Sequence, residues 1–262
     1  MSQPMHQNVS RNTEFAGAVK AGLTRKLLHT SFALAALTAA APAMAQDWDL
    51  ATQLELGAVI TSGNTEDENI RFKGQFDAAR EKWAYLLSME GFRSSKEDVL
   101  AAQRLYSVGS ATYNFDPSNF VTSRVAHEDD RFSGYDSQTD FSVSYGQELL
   151  RDVETMTWKY TIGAGMRRSV ESGAAGDSFN EAIVRLSTDY RWDLSSNARF
   201  IQTLAVDAGE ETTIGRSETA IESDIMENLS MKFAVKVKHQ TEVPVTREKT
   251  DTEFAATLLL RF

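Results

Sequence analysis

The chain has 262 residues, no cysteine, a mean hydropathy of −0.35 and a net charge of −10. An acidic chain without clustered Lys and Arg cannot release counterions from a phosphate backbone, which excludes nucleic acid as a partner. The missing cysteines exclude disulfides and thiolate metal sites, and past residue 45 no run approaches the roughly 18 apolar residues of a membrane-spanning helix.

The first 45 residues read as a secretory signal peptide. Arg25 and Lys26 precede "LLHTSFALAALTAAAPAMA", an apolar stretch ending in the small-x-small triplet Ala43-Met44-Ala45, with cleavage expected after Ala45. The stretch is Ala-rich, is interrupted by His29 and Pro42, and is too weakly apolar for a transmembrane anchor. It holds four of the 27 basic side chains and one of the 37 acidic ones, so residues 46–262 keep 23 and 36, a net of −13.

From residue 48 onward the dominant period is two. Trp48, Leu50, Leu54, Leu56, Ala58 and Ile60 alternate with Asp49, Gln53, Glu55 and Thr61, the mark of a strand with one apolar and one polar face. The figure returns with Ile70, Phe72 and Phe76; with Trp83, Tyr85, Leu87 and Met89; and with Leu105, Gly109, Ala111, Tyr113 and Phe115. Residues 119–127 are less regular. Phe141, Val143 and Tyr145 follow, then Trp158, Tyr160, Ile162 and Met166, then Ala182, Val184, Leu186, Tyr190 and Trp192. Phe200, Leu204 and Val206 lead into a weaker segment around Ile221, Ile225 and Leu229. Met231, Phe233, Val235 and Val237 alternate with Lys232, Lys236 and Lys238, and the last segment carries Phe254, Ala256, Leu258, Leu260 and Phe262. That makes twelve predicted strands, parted by turn signals such as "NFDPSN", "ESGAAGDS" and "DLSSN", with no helical periodicity between them.

Long strands in even number, apolar on alternate residues, predict an all-β, antiparallel up-and-down transmembrane β-barrel over residues 46–262. Closure removes the sheet edges, which lipid cannot satisfy. With a periplasmic N-terminus, Trp48, Trp83, Trp158 and Trp192 all fall at the periplasmic rim, where an interfacial aromatic girdle belongs. The connections at that rim are short, and those at the other rim are mostly longer and richer in Gly and acid.

Three stretches resemble the salt-induced outer-membrane protein family of Gram-negative bacteria, which has no assigned activity. "LELGAVITSGNTE" (54–66) is similar to the family's opening strand and loop, "HEDDRFSGYDSQTDFSVSYG" (127–146) to its central loop and strand, and "EKTDTEFAATLLLRF" (248–262) to its closing strand. The resemblance implies an outer-membrane barrel linked to salt or envelope stress. It implies no catalytic or ligand-binding residue.

Within the barrel, Arg71, Lys73, Arg185, Asp189, Glu222, Asp224, Lys232, Lys236, Asp251, Glu253 and Arg261 fall on the polar face and are the candidate lumen charges. Lysines of the eleventh strand stand between acidic neighbours on the tenth and twelfth, so cross-strand ion pairs are expected. Such an interior is either a narrow selective pore or a salt-bridged plug. A lipid-modifying hydrolase is the third alternative. His127 and His239 are the two histidines after residue 45, and His239 with Thr241 is the one pairing that could approach a nucleophile and base. The carboxylates of "NTEDEN", "HEDDR" and "DAGEE" are expected on outer loops, where they could bridge divalent cations to lipopolysaccharide. Phe254, Leu258, Leu260 and Phe262 form an apolar row resembling the C-terminal assembly signal of outer-membrane proteins. The expectation is an exported, monomeric, non-enzymatic protein of the outer membrane, with no cofactor. Its expected partners are outer-membrane lipid, lipopolysaccharide and the assembly machinery.

Overall fold

Two demands decide the fold: every backbone group in lipid must be paired within the protein, and alternate side chains must face lipid. A computed structural model describes residues 48–62, 68–96, 99–130, 134–172, 177–243 and 247–262. The expected signal segment, with Ala43 and Ala45, lies outside them. Residues Asp49–Phe262 form one closed barrel.

Its strands are β1 (Asp49–Ser62), β2 (Glu68–Arg80), β3 (Trp83–Lys96), β4 (Val99–Asn114), β5 (Asn119–Asp130) and β6 (Tyr135–Glu148). The ring continues with β7 (Met156–Glu171), β8 (Ser178–Ser195), β9 (Ala198–Gly209), β10 (Thr213–Met226), β11 (Leu229–Gln240) and β12 (Thr250–Arg261). Each strand pairs antiparallel with its chain neighbours, and β12 returns to β1. The strands run from 12 to 18 residues, longer than the roughly 9–11 that cross a bilayer. The irregular stretch at 119–127 is β5, which continues to Asp130. The weaker segment is β10, and Leu229, read with it, instead opens β11 beyond a two-residue turn, facing Met226.

The seam between β1 and β12 runs from Gln53↔Arg261 to Ser62↔Thr252. It is extended by a reciprocal pair of backbone bonds between Thr52 and Phe262, at 3.0 and 2.9 Å. Gly57 lies so close to β12 that a Cβ there would overlap the Ala256 carbonyl oxygen. Four of the five turns at the tryptophan rim are tight, and the β6–β7 connection, residues 149–155, is longer. Glu81-Lys82 joins β2 to β3 with Glu81 in the left-handed region, at φ 54°. In the β4–β5 turn, Asp116 accepts bonds from the Ser118 and Asn119 amides at 2.9 and 3.0 Å. Those bonds, the one from Ser118 foremost, hold its carboxyl below the usual carboxylate range.

The barrel is inverted relative to a soluble protein. Leu56, Phe72, Leu87, Phe141, Ile162, Val184, Ile221, Phe233 and Phe254 are exposed on its outside, while Glu55, Arg71, Glu128, Asp207, Glu222 and Lys232 are buried within. Leu259, out of step with its apolar neighbours, points inward and is buried. The small apolar cluster of Val59, Ala220, Ala234 and Ala255 is also inside, where β1, β10, β11 and β12 pack without charge.

Candidate functional site: the ion-paired lumen

Strand parity places each charged side chain. Val125 faces out, so Ala126, Glu128 and Asp130 face in; Phe233 and Val235 face out, so Lys232 and Lys236 face in. A charge turned into a narrow lumen has lost much of its water and needs a partner. The pairs form three groups along the barrel.

The first lies toward the long-loop rim. Arg167 donates to Glu181 (3.0 Å), to the Thr212 carbonyl (3.0 Å) and to the Asp207 carbonyl (2.9 Å). Glu181 in turn accepts from the Glu211 amide at 2.9 Å, fastening the β9–β10 turn to β7 and β8. Beneath it, Asp207 accepts from Arg185 (2.5 Å) and Arg216 (3.2 Å), and Arg216 reaches Glu128 at 2.8 Å. Lys238 donates to the other oxygen of Glu128 at 2.7 Å. Since β5 and β11 stand six places apart in a ring of twelve, this contact spans the bore. Gln240 donates to Gln138 of β6 beside it, at 3.3 Å.

The second group occupies the β1–β4 and β10–β12 walls. Lys236 bridges Glu90 (2.8 Å) and Glu218 (3.2 Å), while Lys232 bridges Glu218 (2.6 Å) and Glu55 (3.4 Å). Lys73 approaches Glu55 at 3.9 Å, and Arg71 pairs with Glu90 at 2.5 Å. Arg104 of β4 reaches Glu253 of β12. The third group lies at the tryptophan rim, where Arg199 and Arg261 share Glu222 and Asp224.

Between the first two groups lies a cavity of about 330 Å³. Six cations and six carboxylates line it, so its formal charge is balanced. Asp189 and Asp251 are on its wall, and among the described residues Asp189 has no ion-pair partner within 4.0 Å.

The eleven candidate lumen charges thus share one interior, and the expected cross-strand pairing is met between β10 and β11, where Lys236 reaches Glu218 opposite it, but other pairs reach beyond neighbouring strands. Lys236 stands opposite Glu253 in register, yet Glu253 is held by Arg104 and Lys236 turns to Glu90 two strands beyond β1. Glu128 and Asp207, expected on outer loops, are buried lumen residues because β5 and β9 extend past them. Sequence reasoning missed Glu90, Glu128, Asp207, Arg216 and Glu218 as partners, although extending each strand's parity by two or three residues would have found Glu128 and Asp207.

Outside the lumen, Trp83, Trp158 and Trp192 are exposed at the short-turn rim, and Trp48 directly precedes β1. Trp83 stacks against Tyr85 and tilts against Tyr113, with ring centroids 6.1 and 5.0 Å apart. Phe254, Leu258 and Phe262 are exposed and Leu260 half-buried along one face of β12. His239 bonds the Thr250 hydroxyl at 2.8 Å rather than Thr241, whose hydroxyl accepts from the Thr213 amide. His127 bonds Thr139 in the same manner, at 2.8 Å. Among the described residues no group of three His, Asp or Glu side chains is placed to hold a metal ion.

Residues 54–262 match the family model described as "Protein of unknown function, DUF481". The uncharacterized protein YdiY of Escherichia coli (strain K12) is 24% identical over 199 residues, covering 76% of this chain and 77% of the relative. Among solved structures, the NanC porin superposes with a TM-score of 0.56 at 8% identity, covering 79% of this chain and 98% of its own. The KdgM porin gives 0.48 at 11%, covering 80% and 99%. The likeness to NanC is one of barrel architecture.

Proposed function

The chain belongs to the DUF481 family of proteins of unknown function, and from that premise we propose a non-enzymatic outer-membrane barrel whose lumen is closed at rest by ion pairs and which serves the envelope under salt stress. The carrying observation is the Lys238–Glu128 contact between opposite walls, reinforced by Arg216. A freely open porin would keep its charged walls apart. Here β5 and β11 are tied together across the bore.

The apolar outer belt and the closed ring support an outer-membrane location, reached through the periplasm behind the signal segment. They also support a monomer, since no strand edge is left to pair with a second copy. Membrane lipid, lipopolysaccharide and the assembly machinery are the partners this reading needs. The salt-stress role rests on the family resemblance of residues 54–66, 127–146 and 248–262. The non-enzymatic reading rests on the histidines: His127 and His239 each bond a threonine, and among the described residues no carboxylate orients either ring, as a nucleophile's base requires.

Planar-bilayer recording from refolded protein tests the closed lumen. Wild type is expected to show no sustained steps, and K238A/R216A is expected to conduct. Stable steps from wild type would instead favour the second reading, a narrow solute pore, for which the 330 Å³ cavity is the specific support. Growth of a deletion strain at raised sodium chloride tests the stress role, with unimpaired growth counting against it.

A further inference from the structure

The lumen accounts for the inward charges but not for a polar row on the outer surface. His127 of β5 stands opposite Thr139 of β6, Thr139 opposite Arg168 of β7, and Arg168 opposite Asn180 of β8. All four side chains are exposed, so they form one transverse line across four neighbouring strands on the lipid-facing side. Two residues toward the membrane centre, the same strands present Val125, Phe141, Met166 and Ala182, all exposed and apolar. The row therefore sits at the edge of the apolar belt, on the long-loop side.

Arg168 is the odd member. Its neighbours Arg167 and Ser169 turn inward and are buried, with Arg167 held by Glu181. Arg168 itself has no ion pair among the described residues. Asp129 is exposed on the same face, two residues further out on β5 and opposite Ser137. The ring of His127 has Nδ1 engaged by Thr139, which leaves Nε2 for an outside ligand. On the opposite side of the barrel, at the level of His239, the corresponding row is Val206, Gly215, His239 and Thr250. It carries no arginine.

We propose that His127, Thr139, Arg168 and Asn180 form a binding site for the phosphorylated headgroup of an outer-leaflet glycolipid, lipid A in chemical class. Charge complementarity selects this occupant. A guanidinium at headgroup level donates two parallel N–H···O bonds to a phosphate. Residues directly opposite on paired strands have Cβ atoms about 4.5–5.5 Å apart, so Asn180 can donate to the same phosphate. His127 lies about 10 Å away, two strand spacings along the row, within reach of the sugar's other polar groups. The acyl chains then descend over Val125, Phe141 and Met166. A free anion would gain the phosphate contact and nothing from that apolar wall. The site rests on the barrel lying in the outer membrane.

The test uses full-length protein refolded in detergent micelles, with bound lipid counted by native mass spectrometry and titrated for affinity. Lipid A, phosphatidylglycerol, phosphatidylcholine and inorganic phosphate are compared. Wild type is expected to retain one lipid A and to bind it at least tenfold better than phosphatidylglycerol. Arg168→Ala is expected to lose at least tenfold in lipid A affinity, Arg168→Lys to recover part of it, and Lys82→Ala at the opposite rim to leave it unchanged. Equal affinity for lipid A and phosphatidylglycerol, or unchanged lipid A binding in Arg168→Ala, would overturn the site. Heat-modifiable migration of each variant reports folding separately. Failure of wild type to insert into phospholipid vesicles would instead overturn the membrane reading on which the site depends.

Discussion

Lys238 on β11 donates from Nζ to Glu128 on β5 at 2.7 Å across the bore, and Arg216 on β10 holds the other oxygen of the same carboxylate at 2.8 Å. One acid thus serves two cations from the facing wall. Removing one partner of a buried ion pair costs about 3–5 kcal/mol, because the remaining charge stays desolvated. Asp130 lies 3.9 Å from Lys238 and Asp207 lies 3.2 Å from Arg216, so part of the loss is compensated. Glu128→Ala is accordingly expected to destabilise the barrel by about 3 kcal/mol, at the lower end of that range. Adding Lys238→Met should restore at least half. The midpoint of urea unfolding in lipid vesicles measures both, and a wild-type midpoint for Glu128→Ala would show that the strut carries no stability.

The strut also marks where reading the sequence stops. Alternation is legible wherever two different media flank a strand: Phe233 and Val235 meet lipid, Lys232 and Lys236 meet the lumen, and a period of two is what remains in the sequence. The ring of twelve and the inward placement of Arg71, Glu222 or Glu253 follow from that period and from closure. Partner choice does not. Lys236 pairs with Glu218 beside it in register but also with Glu90 two strands beyond β1, and not with Glu253 on its other side, because side chains in a narrow bore meet those of distant strands and register says nothing of the cross-section. Leu259 shows the same limit from the other side. It breaks the pattern in "AATLLLRF", yet it is buried inside the barrel between Glu55 and Ser230, its partners in register.

The outward belt sets the next expectation. Phe233 is 56% exposed near the middle of β11. An arginine facing lipid at the bilayer midplane of such a barrel costs about 2–4 kcal/mol, falling toward zero at the interfaces. Phe233→Arg is therefore expected to lower stability by about that amount, whereas Leu229→Arg at the rim should change it by less than about 1 kcal/mol. Folding titrations in vesicles distinguish the two, and equal losses would mean that the membrane midplane lies elsewhere.

Trp83, Trp158 and Trp192 are 44, 41 and 40% exposed at the short-turn rim. Trp158 donates its indole N–H to Thr188 at 2.7 Å, which satisfies the polar edge while the ring faces outward. Single-tryptophan variants retaining each of these residues in turn should be quenched alike by lipids brominated near the headgroup and weakly by lipids brominated at the chain ends. Deep quenching of any one of them would remove it from the interfacial girdle.

At the seam, Phe262 and Thr52 exchange two backbone hydrogen bonds beyond the last ladder pair, Gln53↔Arg261. Removing Phe262 leaves Thr52 with an unpaired amide and carbonyl at the membrane edge and deletes the outermost member of the apolar row Phe254, Leu258, Leu260. Arg261 remains, holding Glu222 and Asp224 of β10 and so tying the closing strand to the second wall beyond it. The two residues should therefore fail differently. Deleting Phe262 is expected to cut the amount of protein assembled in the outer membrane several-fold, while the protein that does assemble migrates and unfolds nearly as wild type. Arg261→Ala is expected to leave assembly closer to normal but to lower the unfolding midpoint, since among the described residues Arg199 is then the one cation paired with Glu222 and Asp224. Fractionation with heat-modifiable electrophoresis reads the first effect and urea titration the second. Full assembly of the truncated chain would refute a recognition role for its final aromatic residue.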